Sequence, residues 1–327
     1  MKEAFYCPAG RLFGHQICLT IAFILDFASS LCYLLVILLQ RIFMHRERVS
    51  ENVYWFQSEV YAQVTAGVIA GPQWAVVIDT LATPEETLSM REFVEHELGL
   101  QIRYIINTHY HADHTWGNCF FPGSTIVSHS ACRTLMLEKG IPSLEAARKQ
   151  NNALRQVKVV LPHLTFDDGE MNLRVGKKNL ILGPAIGHSH DGISVLVEED
   201  RILFAGDAFM PLPYLVDGNL DDLAAAIKRI GRMGLENIVQ GHGDIILRGE
   251  IDAAVKENLA YLSAIRKVVR TALKRKSPFE YLDEIAVEEC GKSRVTLGGL
   301  APALHQRNLR ALYRQMLENK DNLESEE

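Results

Sequence analysis

Residues 74–80, WAVVIDT, form a short apolar run followed at once by a helix-start signal. Thr83 stands at the N-cap, Pro84 at the first helical position, and Glu86 three residues after the cap closes a capping box. The spacing predicts a helix to about Leu98, stopped near Gly99, and a second strand at 102–107, IRYIIN. A strand, a helix and a strand in so short a stretch is a βαβ unit, whose two strands run parallel. The chain is therefore α/β, and its ligand sites are expected beyond the carboxyl ends of the strands.

The same reading places strands at 52–57 and 60–70, with Gly71-Pro72 as a turn between the second of these and the run at 74–80. Short strands are expected within 164–182. Residues 193–198 and 201–205 form a hairpin, and a strand at 236–240 leads into Gly241-His242-Gly243. Helices are expected at 131–155, 220–233, 250–275 and 305–318. Three parts follow: an N-terminal extension at 1–49, a catalytic domain at 50–250 and a helical extension at 251–327. With 48% hydrophobic and 23% charged residues over 327 positions, the composition is that of a globular chain. The net charge of -6 argues against a dedicated nucleic-acid binder, so no nucleic-acid partner is expected. Six cysteines form no CxxC pair, which removes thiolate zinc and dithiol redox motifs.

The extension carries an apolar run at 17–39 interrupted by one charge, Asp26. A helix of that length spans roughly 30 Å, enough for a bilayer core. Arg41, Arg46 and Arg48 follow it, against Lys2 and Arg11 before it, a bias that keeps the C-terminal bulk cytoplasmic. Two expectations follow: a single membrane anchor, or a cytoplasmic domain behind a spurious upstream extension.

Thr108-His109-Tyr110-His111-Ala112-Asp113-His114 sits just past the strand at 102–107. Imidazole nitrogen and carboxylate oxygen are ligands for zinc and similar divalent ions. A His-x-His in extended backbone puts His109 and His111 on one side, and Asp113 and His114 on the following turn can address a second ion. Three later strand ends offer the same chemistry: His188 in Gly-His-Ser-His-Asp, Asp207 in Gly-Asp, and His242 in Gly-His-Gly. His190 competes with His188.

These motifs, in this order, resemble the metallo-β-lactamase-fold hydrolases of the glyoxalase II and lactonase-like branch, over about residues 50–250. The resemblance implies an αβ/βα sandwich: two packed mixed β-sheets with outer helices. It implies a dinuclear centre with His109, His111 and His188 on one ion, Asp113, His114 and His242 on the other, and Asp207 bridging. His188 is preferred to His190, and Asp79 is expected to orient a ligand histidine. The ions are expected to be zinc, with manganese and iron as alternatives. Asp207 stands where the cysteine-ligand lactamases carry Cys, and His111 where the flavodiiron proteins carry Glu; both groups are disfavoured.

The expected chemistry is hydrolysis of an ester, thioester, lactone or amide in a small-molecule substrate by a metal-bridged hydroxide. Asp113 orients the nucleophile and shuttles a proton. Tyr214, in MPLPYL after Asp207, is a candidate oxyanion donor. Arg266, Lys267, Arg270, Lys274, Arg275 and Lys276 are candidates for an anionic substrate tail. Phosphodiester cleavage on the same centre and a non-catalytic metal-binding role are the alternatives. Substrate identity and oligomeric state carry no signal in the sequence.

Overall fold

The computed structural model describes residues 44–215 and 217–325, with side chains to residue 318. The apolar run at 17–39 lies outside the described residues; among those described, no helix is long and apolar enough to cross a membrane. The first sheet orders seven strands as β1 (His45–Ser50), β2 (Val53–Gln57), β3 (Thr65–Ala70), β4 (Trp74–Ile78), β5 (Gln101–Ile106), β6 (Thr125–His129) and β7 (Leu164–Phe166). Pairing is antiparallel from β1 to β4 and parallel from β4 to β7, as the βαβ signal requires. The second sheet carries β8 (Met171–Val175), β9 (Lys178–Pro184), β10 (Ile193–Val197), β11 (Ile202–Phe204), β12 (Asn237–Val239) and β13 (Ile246–Leu247), in the order β13-β12-β11-β10-β9-β8. The predicted hairpin is β10–β11, antiparallel, and β11 pairs parallel with β12.

Side-chain alternation assigns each strand two jobs. Val76, Ile78, Ile106 and Val127 of the first sheet meet Val195, Val197, Ile202, Phe204 and Val239 of the second. Their neighbours Ala75, Val77, Ile105 and Ile126 turn to the opposite face, against Met90, Phe93 and Val94. Met90 lies on α1 (Pro84–Glu92), where Thr83 caps and Pro84 enters as expected. On the far face of the second sheet, Leu203 and Ile238 join a cluster with α5 (Leu220–Gly231) and α6 (Ile251–Ala272). Between α1 and α5 lie α2 (Ala112–Thr115), α3 (Ser130–Leu135) and α4 (Ile141–Arg148). After α6 come α7 (Pro278–Glu284) and α8 (Ala301–Ser325), and Leu282 and Leu309 belong to the same cluster. Helix, sheet, sheet, helix is the αβ/βα sandwich, and its second core continues into the helices beyond residue 250. Each fully buried Val, Leu or Ile in these layers contributes about 1.5–3 kcal/mol.

The strand expected at 60–70 is shorter. Residues 60–64 form a turn in which Ala62 and Gln63 take φ of 48° and 52°, outside any strand geometry. Val60 and Tyr61, though β-favouring, are 58% and 46% exposed and wall a cavity instead of a sheet.

Candidate metal centre

Every candidate ligand leaves a strand end. His109 and His111 follow β5, with Asp113 and His114 on α2; His188 follows β9, Asp207 follows β11 and His242 follows β12. Glycines make that convergence sterically feasible. A Cβ on Gly241 would stand 1.9 Å from Asp207 Oδ1, so only glycine lets the β12 loop pass the carboxylate. Gly206 has φ of +51° and a Cβ there would press on Thr108 at 2.8 Å, so the Gly-Asp pair is also dictated by packing.

The structure brings all seven predicted residues together. Ligand-capable atoms of His109, His111, His188 and Asp207 lie within 4.8 Å of one another, as do those of Asp113, His114 and His242. His109 Nε2 and His188 Nε2 stand 3.0 and 2.9 Å from His111 Nδ1. Asp207 Oδ2 is 3.2 Å from His188 Nε2 and 3.6 Å from His242 Nε2, and its Oδ1 is 3.3 Å from His114 Nε2. One carboxylate thus touches both groups. His242 Nε2 is 3.3 Å from Asp113 Oδ2. His190 is exposed and belongs to neither group, whereas His188 lies in the first.

The outward-facing nitrogens fix the tautomers. His114 Nδ1–H donates to Asp79 Oδ2 at 2.9 Å, His188 Nδ1–H to the Tyr214 carbonyl at 2.8 Å, and His242 Nδ1–H to the Ala62 carbonyl at 2.8 Å. His111 Nε2–H donates to Asp217 Oδ2 at 3.0 Å, and His109 Nδ1–H to Thr108 Oγ1 at 3.1 Å. With its outer N–H engaged in this way, each ring, once neutral, would turn a lone pair inward. Asp79 makes its contact with His114 from a left-handed backbone with φ of 57°. Both its oxygens are used: Oδ1 accepts Thr108 N–H at 2.8 Å and Oδ2 accepts Thr108 Oγ1–H at 2.7 Å.

Inside the cluster the hydrogen bonds run out. His114 Nε2 and Asp207 Oδ1 are buried and have no hydrogen-bond partner. Leaving such atoms unsatisfied costs about 1–3 kcal/mol each. The electrostatics make the same demand for positive charge. Burial opposes ionisation of Asp207, but His242, His114, His188 and His109 hold its carboxyl well below the ordinary range. Burial likewise opposes protonation of His242, yet Asp207 and Asp113 raise it to about 10; His114 is raised by Asp207, Asp79 and Asp113 against the same penalty. His188, dominated by burial, falls to about 4, and His109 is lowered by burial and by His114. Inward lone pairs, an orphaned acceptor and a cation-seeking field fit divalent metal.

The cluster forms one wall of a cavity of about 640 Å³. Tyr214 lines it, while its carbonyl holds His188. Met210, Leu297, Leu300 and Leu304 give it an apolar side, and its cations are Lys139 and Arg307. This corrects the expectation for the 266–276 cations. None of them lines the cavity: Arg266 pairs with Asp221, and the Arg275 guanidinium lies 3.9 Å above the Tyr281 ring. Sequence reasoning missed Asp217, which accepts from Tyr110 Oη–H at 2.5 Å and from Lys139 at 3.0 Å besides His111. In Asp217-Gly218-Asn219 it looks like an ordinary turn before the Asn219 cap of α5.

Comparison with known proteins places this geometry. Residues 61–248 match the metallo-beta-lactamase superfamily model. The chain is 25% identical over 187 residues to a beta-lactamase-like protein 2 homolog of Caenorhabditis elegans, covering 57% of this chain and 58% of that one. It is 25% identical over 173 residues to the thioesterase pkgB of Emericella nidulans, covering 53% and 43%. The chain thus spans about half the length of the curated relatives it matches. In structure it is similar to a metallo-beta-lactamase from Pontibacter korlensis, with TM-score 0.55, 18% identity and coverage of 66% and 99%. It is also similar to the sec-alkylsulfatase Pisa1 from Pseudomonas sp., with TM-score 0.66, 15% identity and coverage of 83% and 50%. At such identities the solved structures speak for the fold alone, but the family match covers more than half of the sequence, and by that match the chain belongs to the metallo-beta-lactamase superfamily.

Proposed function

We propose that the chain is a dinuclear metal-dependent hydrolase that cleaves an ester or thioester bond in a substrate with an apolar part and an anionic end. The observation that carries this reading is Asp207, one carboxylate within 3.2–3.6 Å of histidines from both groups. His109, His111 and His188 would hold one ion, Asp113, His114 and His242 the other, with Asp207 between them. Zinc is the ion we expect, manganese and iron being the alternatives for such a donor set. Bound there, two such ions would supply Lewis acidity and bring the pKa of water toward roughly 7.

The chain's own residues do the rest. Asp113 reaches the cavity and, against its burial, is held as a carboxylate by His114 and His242, ready to orient an attacking water and carry a proton to the leaving group. Tyr214, which lines the cavity with its ring 5.8 Å from that of His188, offers a hydroxyl to an oxyanion. Leu297, Leu300 and Leu304 receive the apolar part of the substrate. Arg307, which has no ion pair among the described residues, receives the anionic end. The relative named as a thioesterase supports the bond class.

The test is a panel of 4-nitrophenyl acetate, an acyl thioester, an acyl-homoserine lactone, nitrocefin and bis-4-nitrophenyl phosphate, each run before and after chelation. Ester or thioester turnover that stops on chelation and returns with zinc is expected. Turnover that survives chelation, or phosphodiester cleavage as the dominant activity, overturns the reading.

A further inference from the structure

The family match stops at residue 248, yet a buried side chain on α8 reaches back to the loop that supports His188. Asn308 is fully buried. Its Oδ1 accepts the Leu215 N–H at 2.9 Å, and its Nδ2 donates to the Pro213 carbonyl at 2.7 Å and to Tyr261 Oη at 3.0 Å. Tyr261 Oη in turn lies 3.0 Å from His305 Nδ1. The peptide groups that Asn308 grips flank Tyr214, whose carbonyl accepts the His188 Nδ1–H.

We infer that Asn308 is a positioning residue for the centre: it fixes the 213–215 backbone so that the Tyr214 carbonyl holds His188 with Nε2 turned into the cluster. This rests on the reading of His188 as a ligand. The amide suits the task because one planar group offers an acceptor and a donor pair at once. An aspartate keeps the bond to Leu215 N–H and loses both donors; a leucine loses everything and strands two buried backbone groups. A second amide supports the same loop at its other end, since Asn258 Nδ2 donates to the Met210 carbonyl at 3.0 Å and Asn258 Oδ1 accepts from Lys292 Nζ at 2.7 Å. Helices beyond the family match thus grip the loop at both ends, between Asp207 and the cap of α5. If the Tyr214 carbonyl swings away, His188 loses the bond that keeps its proton on Nδ1, and the ring is free to turn or change tautomer.

The experiment measures zinc affinity of the full chain by competition with a chromogenic chelator, together with far-UV circular dichroism. Asn308→Leu and Asn308→Asp are compared with Gln306→Ala. Gln306 ties α8 to the Leu282 and Ile285 carbonyls and does not touch the loop. Both Asn308 variants are expected to weaken one zinc site about 10- to 100-fold, the usual cost of losing an outer partner of a ligand, and to leave the other site unchanged. Gln306→Ala is expected to lower Tm with zinc affinity intact. On a His188→Ala background, Asn308→Asp should weaken zinc no further. If Asn308→Leu does not fold, Asn308→Asp decides. Folded Asn308 variants with wild-type affinity, or an equal loss in Gln306→Ala, overturn the inference. A wild-type chain that binds none of zinc, manganese and iron overturns the dinuclear reading itself, and is distinguished by failing before any variant is made.

Discussion

Asp217 shows how much one side chain can organise. Its carboxylate gathers Tyr110, His111 and Lys139, so that the imidazole of His111 is oriented from outside, Lys139 offsets the charge and Tyr110 donates a further hydrogen bond. Asp217→Asn keeps the size and loses the charge-assisted acceptor; it is expected to lower zinc affinity about 10- to 100-fold with little change in Tm. Chelator competition and thermal melts check this, and unaltered zinc binding contradicts it. Gly241→Ala should be worse, because its Cβ would collide with Asp207 Oδ1 at 1.9 Å. We expect a folded protein with zinc uptake lost, read by metal analysis after desalting. At this scale the sequence was legible wherever a residue of the cluster is marked by its type, as in the 109–114 motif. It was silent where the partner is a backbone carbonyl, as at Ala62 and Tyr214, since any residue carries one. Asp217 was hidden for a different reason: turns are rich in aspartate.

Among elements, strand and helix signals read well where the pattern is local. Alternation in β10 and the Thr83 N-cap of α1 are set by neighbours in sequence. Residues 60–64 misled because β-favouring side chains there face a cavity, and exposure of Val60 and Tyr61 is a tertiary fact. The contact of α8 with α6 carries a pH signature. Burial lowers the pKa of His305 from 6.5, so the unfolded chain takes up its proton first as pH falls. The unfolded state then binds more protons, and stability from this group is lost as pH drops through about 6.5 toward the lower folded value. His305→Gln keeps a polar partner for Tyr261 and removes the titration. Its Tm should fall less than that of wild type between pH of about 7 and about 5. Parallel pH dependences of the two proteins contradict this account.

On the scale of the whole molecule, the sandwich places four strand-end loops, after β5, β9, β11 and β12, around one point, and the segment after residue 250 walls the cavity beside it. Leu297, Leu300, Leu304 and Arg307 belong to that closing segment, far in sequence from the His/Asp cluster across the cavity. No local pattern announces such a wall, which is why the basic end of α6 drew attention and Arg307 did not. Arg307→Glu is expected to raise KM for an anionic ester such as 4-nitrophenyl hemisuccinate about 10-fold or more, with neutral 4-nitrophenyl butyrate little changed and kcat preserved for both. An equal effect on both esters contradicts the assignment.

The most direct test of the shared carboxylate is metal content after desalting, by inductively coupled plasma mass spectrometry, for the zinc-loaded wild type and Asp207→Ala side by side. The account predicts two zinc ions per wild-type chain and fewer than two in the variant, with hydrolysis lost in proportion. A wild-type chain saturated by a single ion, or a variant that keeps both ions and full turnover, contradicts it.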